Sequence, residues 1–182
     1  MQCRGQSMKP ASRELRDVWW GITFSPTDHC FAAGSEDGSV AVVDSKTCTV
    51  LRVRSRGHLD RILGCAFSPD GTILATASFD KTVKLWQVAT GSEVRTLTGH
   101  TDYVRGVVFT ADGKYIISAS KDKTARVWDV ASGTPVHTLS LPGQGCSVAL
   151  SASGTLLAVG CSEGMVALFD VAKGYTPMST FT

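Results

Sequence analysis

The stretch FSPDGTILATASFDKTVKLWQ, Phe67 to Gln87, carries two turns and two short apolar runs in 21 residues. Phe67-Ser-Pro-Asp-Gly71 is a turn, because Pro presets φ and Gly and Asp accept tight backbone geometry. ILATAS follows it, a second turn at Phe79-Asp80-Lys81-Thr82 follows that, and VKLW comes next. Working outward, ILGCAF precedes the first turn, and ATGSE makes a third turn before VRTL. Four short strands are expected, and a helical period can be fitted only within residues 10 to 18. The apolar residues do not alternate cleanly, as expected of small sheets covered on both faces.

The same grammar recurs. FSPTDHCFAAGSEDGSVAVVD from Phe24, FTADGKYIISASKDKTARVWD from Phe109 and LSASGTLLAVGCSEGMVALFD from Leu150 align with the central stretch, at steps of 43, 42 and 41 residues. The acidic turn residues Asp37, Asp80, Asp122 and Glu163 keep those steps. A period near 42 with four strands describes one blade of a β-propeller. Four blades are expected, at about 18–56, 57–98, 99–140 and 141–182, after a basic tail at residues 1–17.

Gly57-His58 precedes Leu85-Trp86, and Gly99-His100 precedes Trp128-Asp129. This pattern, over residues 18–182, resembles the G-H…W-D signature of the WD40-repeat family. The resemblance implies an all-β fold of four tandem four-stranded blades, a small, open or partial propeller. It also implies a hydrogen-bonded tetrad in each full blade: His58, Thr76, Asp80 and Trp86 in the second, His100, Ser118, Asp122 and Trp128 in the third. Each His lies 22 residues before its Asp. At the equivalent places blades one and four carry Leu15, Ala33 and Val43, and Leu141, Val159 and Phe169. The other three members are lost together, as a network demands when a half-satisfied buried group is costly.

Catalysis finds little footing. Ser, His and Asp occur together, but twice at one period and without a G-x-S-x-G elbow, and both the Walker loop and the dinucleotide fingerprint are missing. No cofactor or metal is expected, because no two of the six cysteines stand in C-x-x-C spacing. They read as free thiols, mostly among small apolar neighbours. His29 and His137 are isolated and read as surface residues, and Ser25-Pro26 and Ser68-Pro69 as turns. No run approaches the apolar length of a membrane helix, and the start has no apolar signal core. Net charge is +2, and the residues after the tail balance at 14 against 14, so nucleic acid is an unlikely partner. Arg13, Arg16, Arg52, Arg54, Arg56 and Arg61 form the single basic concentration, read mainly as a solvated outer edge.

The resemblance points to the narrow top of the propeller as the place for a partner protein. Carried over by offset, the residues just before the turn acid are Glu36, Phe79, Lys121 and Ser162. The strand-a positions are Arg61 and Leu63, then Tyr103 and Arg105, with weaker transfer to Val18 and Trp20 and to Gln144 and Cys146. Aromatic residues and Arg are the types enriched at binding hot spots. Phe79 is expected to face solvent unless it packs on Arg61 or a neighbouring loop; Trp19 and Trp20 could equally cap the open side of blade one. The function expected is a non-catalytic scaffold or adaptor, cytoplasmic or alternatively nuclear; the other reading is the sensing part of a larger signalling ATPase or ubiquitin-ligase receptor. Four blades leave closure open: they could close alone, self-associate, or belong to a longer propeller, the last being favoured.

Overall fold

The computed structural model describes residues 18–27, 29–54 and 57–182, with backbone alone at 52–54. The tail expected at 1–17, with Arg13, Arg16 and Leu15, lies outside the described residues, as do Arg56 and the side chains of Arg52 and Arg54. Among the described residues there is no helix, and so none long and apolar enough to cross a membrane.

Blade one is β1 (Trp19–Phe24), β2 (Cys30–Ser35), β3 (Val40–Asp44) and β4 (Val50–Arg54). Blade two is β5 (Ile62–Phe67), β6 (Ile73–Ser78), β7 (Val83–Gln87) and β8 (Glu93–Leu97). Blade three is β9 (Val104–Phe109), β10 (Tyr115–Ser120), β11 (Thr124–Asp129) and β12 (Pro135–Ser140). Blade four is β13 (Gly145–Leu150), β14 (Leu156–Cys161), β15 (Val166–Asp170) and β16 (Thr176–Phe181). Each is an antiparallel meander in chain order. The turn chemistry read from the sequence sets the links: Gly71 sits at φ 72°, and Asp70 is bound by the Ser68 hydroxyl at 2.5 Å.

The blades stack through their first strands, β1 on β5, β5 on β9 and β9 on β13. The contact is made by glycines one period apart. A Cβ on Gly21 would lie 3.1 Å from the Gly64 backbone, and one on Gly64 would lie 2.9 Å from the Arg105 carbonyl. Apolar side chains fill the seams. Phe67 packs with Cys30 and Ala32 of the preceding blade, and Leu139 with Leu157 and Val159 of the following one.

The arc does not close. Phe24 is 70% exposed, while its repeats Phe67 and Phe109 are 8% and 7% exposed. At the other end Phe181 is 55% exposed, while Leu139, at the same register in blade three, is 8% exposed. An apolar face therefore stands uncovered on each flank, Val18, Trp20 and Ile22 sharing the first with Phe24.

Candidate functional site

Two polar clusters recur one period apart. His58 Nδ1 lies 2.7 Å from Asp80 Oδ2 and its Nε2 lies 2.6 Å from Thr76 Oγ1, which accepts from Trp86 Nε1 at 2.8 Å. In blade three, His100 lies 2.7 Å from Asp122 and 2.8 Å from Ser118, whose oxygen accepts from Trp128 at 2.8 Å. A carboxylate only accepts and an indole only donates, which sets the two ends of each chain. The order that satisfies every member has Nδ1 donating to the carboxylate and Nε2 accepting the hydroxyl proton.

The clusters are larger than tetrads. Thr82 and Thr124 donate to Asp80 and Asp122 at 2.6 and 2.7 Å, and the same carboxylates accept the Leu59 and Thr101 amides at 3.1 Å. Ser78 and Ser120 tie the next turn down through the Asp60 and Asp102 carbonyls. Both Thr residues stand two places after the acid in each full repeat, a signal available in the sequence but outside the tetrad pattern. Burial alone would raise the Asp80 and Asp122 carboxyls. The histidine and threonine hydrogen bonds outweigh it, so both sit below the usual carboxylate range. Burial is the larger influence at His100 and takes the imidazole below its usual value, against the pull of Asp122. His58, Thr76, His100 and Ser118 are buried. Chemically these are staples that hold the loop before each first strand to its own sheet.

Above the staples the residues transferred by offset pair through the backbone in every blade. Glu36 donates to the Val18 carbonyl, Phe79 to Arg61, Lys121 to Tyr103 and Ser162 to Gln144, all at 2.8 to 2.9 Å. That repeated bond brings side chains of three blades into one line. Glu36 pairs with Arg61 at 2.7 Å, and the Arg61 guanidinium lies 5.9 Å from the Phe79 ring centroid. Phe79 stacks flat on Tyr103 across the seam, 4.1 Å apart and 6° from parallel. Lys121 lies 5.0 Å from the Tyr103 centroid and 3.8 Å from Asp102.

Phe79 is therefore half-buried between Arg61 and Tyr103 rather than a lone ring in solvent. The offset rule located Phe79 and Tyr103 separately, but the stack depends on the inter-blade angle, which the sequence does not carry. Arg105 leaves the line and donates to Cys146 Sγ at 3.2 Å in blade four. Leu63 is half-buried on β5. Trp20 stands on the uncovered flank of blade one, away from the line.

Among the described residues no three His, Cys, Asp or Glu side chains gather as metal ligands. Cys30 and Cys161 are buried and in no disulfide, whereas Cys48 is exposed in the turn between β3 and β4.

Comparison with known proteins gives the family. The family described as "WD domain, G-beta repeat" matches residues 15–44, 48–87 and 91–129, more than half of the chain. WD repeat-containing protein 1 of Bos taurus is 39% identical over 79 residues, which is 42% of this chain and 13% of that protein. WD repeat-containing protein 18 of Bos taurus is 32% identical over 88 residues, 42% of this chain and 20% of that protein. U3 small nucleolar RNA-associated protein 21 of Saccharomyces cerevisiae is 34% identical over 70 residues, 38% of this chain and 7% of that protein. The chain thus matches under a quarter of the length of each of these relatives. WD repeats of this kind serve generally as non-catalytic platforms for protein partners. With the period, the four-stranded blades and the matched repeats in agreement, the chain belongs to the WD40, or G-beta, repeat family.

Proposed function

We propose that this chain is a non-catalytic scaffold that grips a partner protein through the line Glu36–Arg61–Phe79–Tyr103–Lys121–Asp102. The observation that carries this is the stacked pair flanked by two cations. Aromatic rings beside Arg at a surface are what interface hot spots are made of. Internal pairing holds these side chains in one conformation before the partner arrives, which lowers the entropy lost on binding. Arg105 and Leu63 border the line and extend the contact in this reading, while Trp20, on the open flank, takes no part in it. The protein works in the cytoplasm, or alternatively in the nucleus, where a fluorescent fusion would place it.

The test is capture from lysate by wild type, Phe79→Ala, Arg105→Ala and a distant control, Lys173→Ala, read by quantitative mass spectrometry with melting temperatures measured alongside. A set of proteins lost from the Phe79 and Arg105 variants but kept by the control is the expected result. Equal capture by all four chains refutes the top-face assignment.

A further inference from the structure

The opposite face of the arc departs from the repeat at one place. In blades two and three the turn between third and fourth strands runs from Trp86 to its partner Glu93 and from Trp128 to its partner Pro135. In blade four it runs from Phe169 to Pro177, one residue longer. Gly91 and Gly133 close their turns on the fourth residue back, Gln87 and Asp129, whereas Gly174 closes on Val171. The extra residue is absorbed at Tyr175, which follows Gly174 at φ 63°. A bulky side chain in the left-handed region is a costly conformation, so the packing of its ring must hold it there. The ring is buried and lies 5.0 Å from His137, tilted by 50°.

The neighbouring seam shows what this position ordinarily does. Between blades two and three, Arg95 donates to the Ala131 and Ser132 carbonyls at 2.8 and 2.9 Å and occupies the seam. Its counterpart between blades three and four is His137, since Arg95 pairs with Leu85 and His137 with Val127. Imidazole is too short to bridge, and a cavity of about 560 Å³ remains. That lies within the size range of ligand pockets, roughly 300–1,000 Å³.

The lining has one chemical character. Tyr115, Tyr175 and His137 supply three aromatic rings, Val136 and Val171 supply apolar wall, and Asp112 supplies a carboxylate. Asp112 Oδ1 is held by the Thr110 hydroxyl at 2.6 Å and the Lys114 amide at 3.1 Å. Those bonds, with the charge of Lys114 nearby, hold it below the usual carboxylate range, hence charged. No Lys or Arg lines the cavity, and no described cation stands within salt-bridge distance of Asp112. Burial, with Tyr115 and Asp112 close by, pushes the Tyr175 hydroxyl up, so it stays protonated. An anion would meet the Asp112 carboxylate in a lining that carries no Lys or Arg. A cation would meet aromatic side chains and a carboxylate, the groups that bind quaternary and alkylated ammonium ions.

We infer that the cavity between blades three and four is a binding site for an alkylammonium group, its cation between Tyr115, Tyr175 and Asp112 and its alkyl part against Val136 and Val171. The site lies on the face opposite the Phe79–Tyr103 line, so it stands or falls separately from the scaffold reading.

Calorimetric titration of the full chain tests it, with choline, its neutral isostere 3,3-dimethylbutanol, and N-acetyl-trimethyllysine amide as probes. The variants are Tyr175→Gly, which suits the left-handed backbone and removes the ring, and Asp112→Asn, which keeps the acceptor for Thr110 and Lys114. Choline is expected to bind at least about tenfold more tightly than the isostere. Asp112→Asn should erase that preference, and Tyr175→Gly should abolish binding with the fold intact by circular dichroism. Binding of both cationic probes identifies a protein side chain as the natural occupant, and binding of choline alone identifies a free amine. Equal affinity for the isostere, no binding of either cation at millimolar concentration, or wild-type affinity in both variants overturns the assignment.

Discussion

Replacing Thr76 by Val removes one atom that two buried groups share. Thr76 Oγ1 lies 2.6 Å from His58 Nε2 and 2.8 Å from Trp86 Nε1, and all three residues are buried. Val copies the shape of Thr, so no cavity opens. What changes is that an indole N–H and an imidazole nitrogen lose their partner together. A stranded buried group costs about 1–3 kcal/mol, so the pair should cost about 2–6 kcal/mol. That is a large share of the roughly 5–15 kcal/mol a domain possesses. The sharper reading comes from Trp86→Phe in the same background. With the indole donor already gone, Thr76→Val strands only His58. The double variant should therefore be about 1–2 kcal/mol less destabilised than the sum of the singles. Urea unfolding followed by far-ultraviolet circular dichroism gives all three values. A cost for Thr76→Val under about 0.5 kcal/mol, or strict additivity in the double variant, would refute the view that the cluster works as a network.

Stability should fall on mild acidification. The unfolded chain protonates His100 near pH 6.5, whereas burial lowers that value in the fold, so stability present above about 6.5 is lost as pH drops through the folded value. Asp80 and Asp122, held low in the fold, extend the loss from about pH 3.9 downward. Urea midpoints at pH 7.5, 6 and 5 should decline for wild type and decline less for His100→Gln; a flat wild-type profile contradicts the assignment. Gly64→Ala places a Cβ 2.9 Å from the Arg105 carbonyl and should cost about 1–3 kcal/mol, measured by the same unfolding experiment. Burial pushes the Cys65 thiol up to about 12, while Cys48 is exposed, so iodoacetamide at pH 8 should alkylate Cys48 first and reach Cys65 only after unfolding, as mass spectrometry of the peptides will show.

Much of the fold was legible because strands and turns are local. ILGCAF and ILATAS are β5 and β6 to the residue, since Pro69 and Gly71 punctuate between them. The tetrad partners were legible through the family resemblance, which their repeated spacing supports. What the sequence withheld depends on how neighbouring blades sit. The glycine line through Gly21, Gly64 and Gly106 acquires meaning only when the first strands are seen to touch. The sequence leaves Phe79 either facing solvent or packed on Arg61 or a neighbouring loop; its ring is half covered by Arg61 and by Tyr103 of the next blade. Tyr175 escaped notice for the opposite reason. A one-residue insertion at the end of the last repeat shifts nothing upstream, so self-comparison passes over it, and only the pairing of Phe169 with Pro177 exposes it.

Blades one and four reveal why the polar cluster is lost as a unit. Ala33, Val159 and Phe169 take the places of hydroxyl and indole, and all three are buried. Leu141, at the histidine position of blade four, is buried with Val159 and Phe169 in one apolar cluster. The loop it anchors is still tied down, by the Gln144 amide donating to Ser162 Oγ at 3.1 Å and by the backbone bond from Ser162 to Gln144. The same loop can thus be fixed by a chain of buried hydrogen bonds or by apolar packing with one short polar bond. A mixture is disfavoured, because each polar member left among apolar neighbours bears its full desolvation cost. In blade four, introducing a histidine at Leu141 alone should therefore destabilise the chain, since Val159 and Phe169 offer it neither donor nor acceptor. Adding Val159→Ser should recover part of that loss, and Phe169→Trp more, because each restores one link of the chain that blades two and three use.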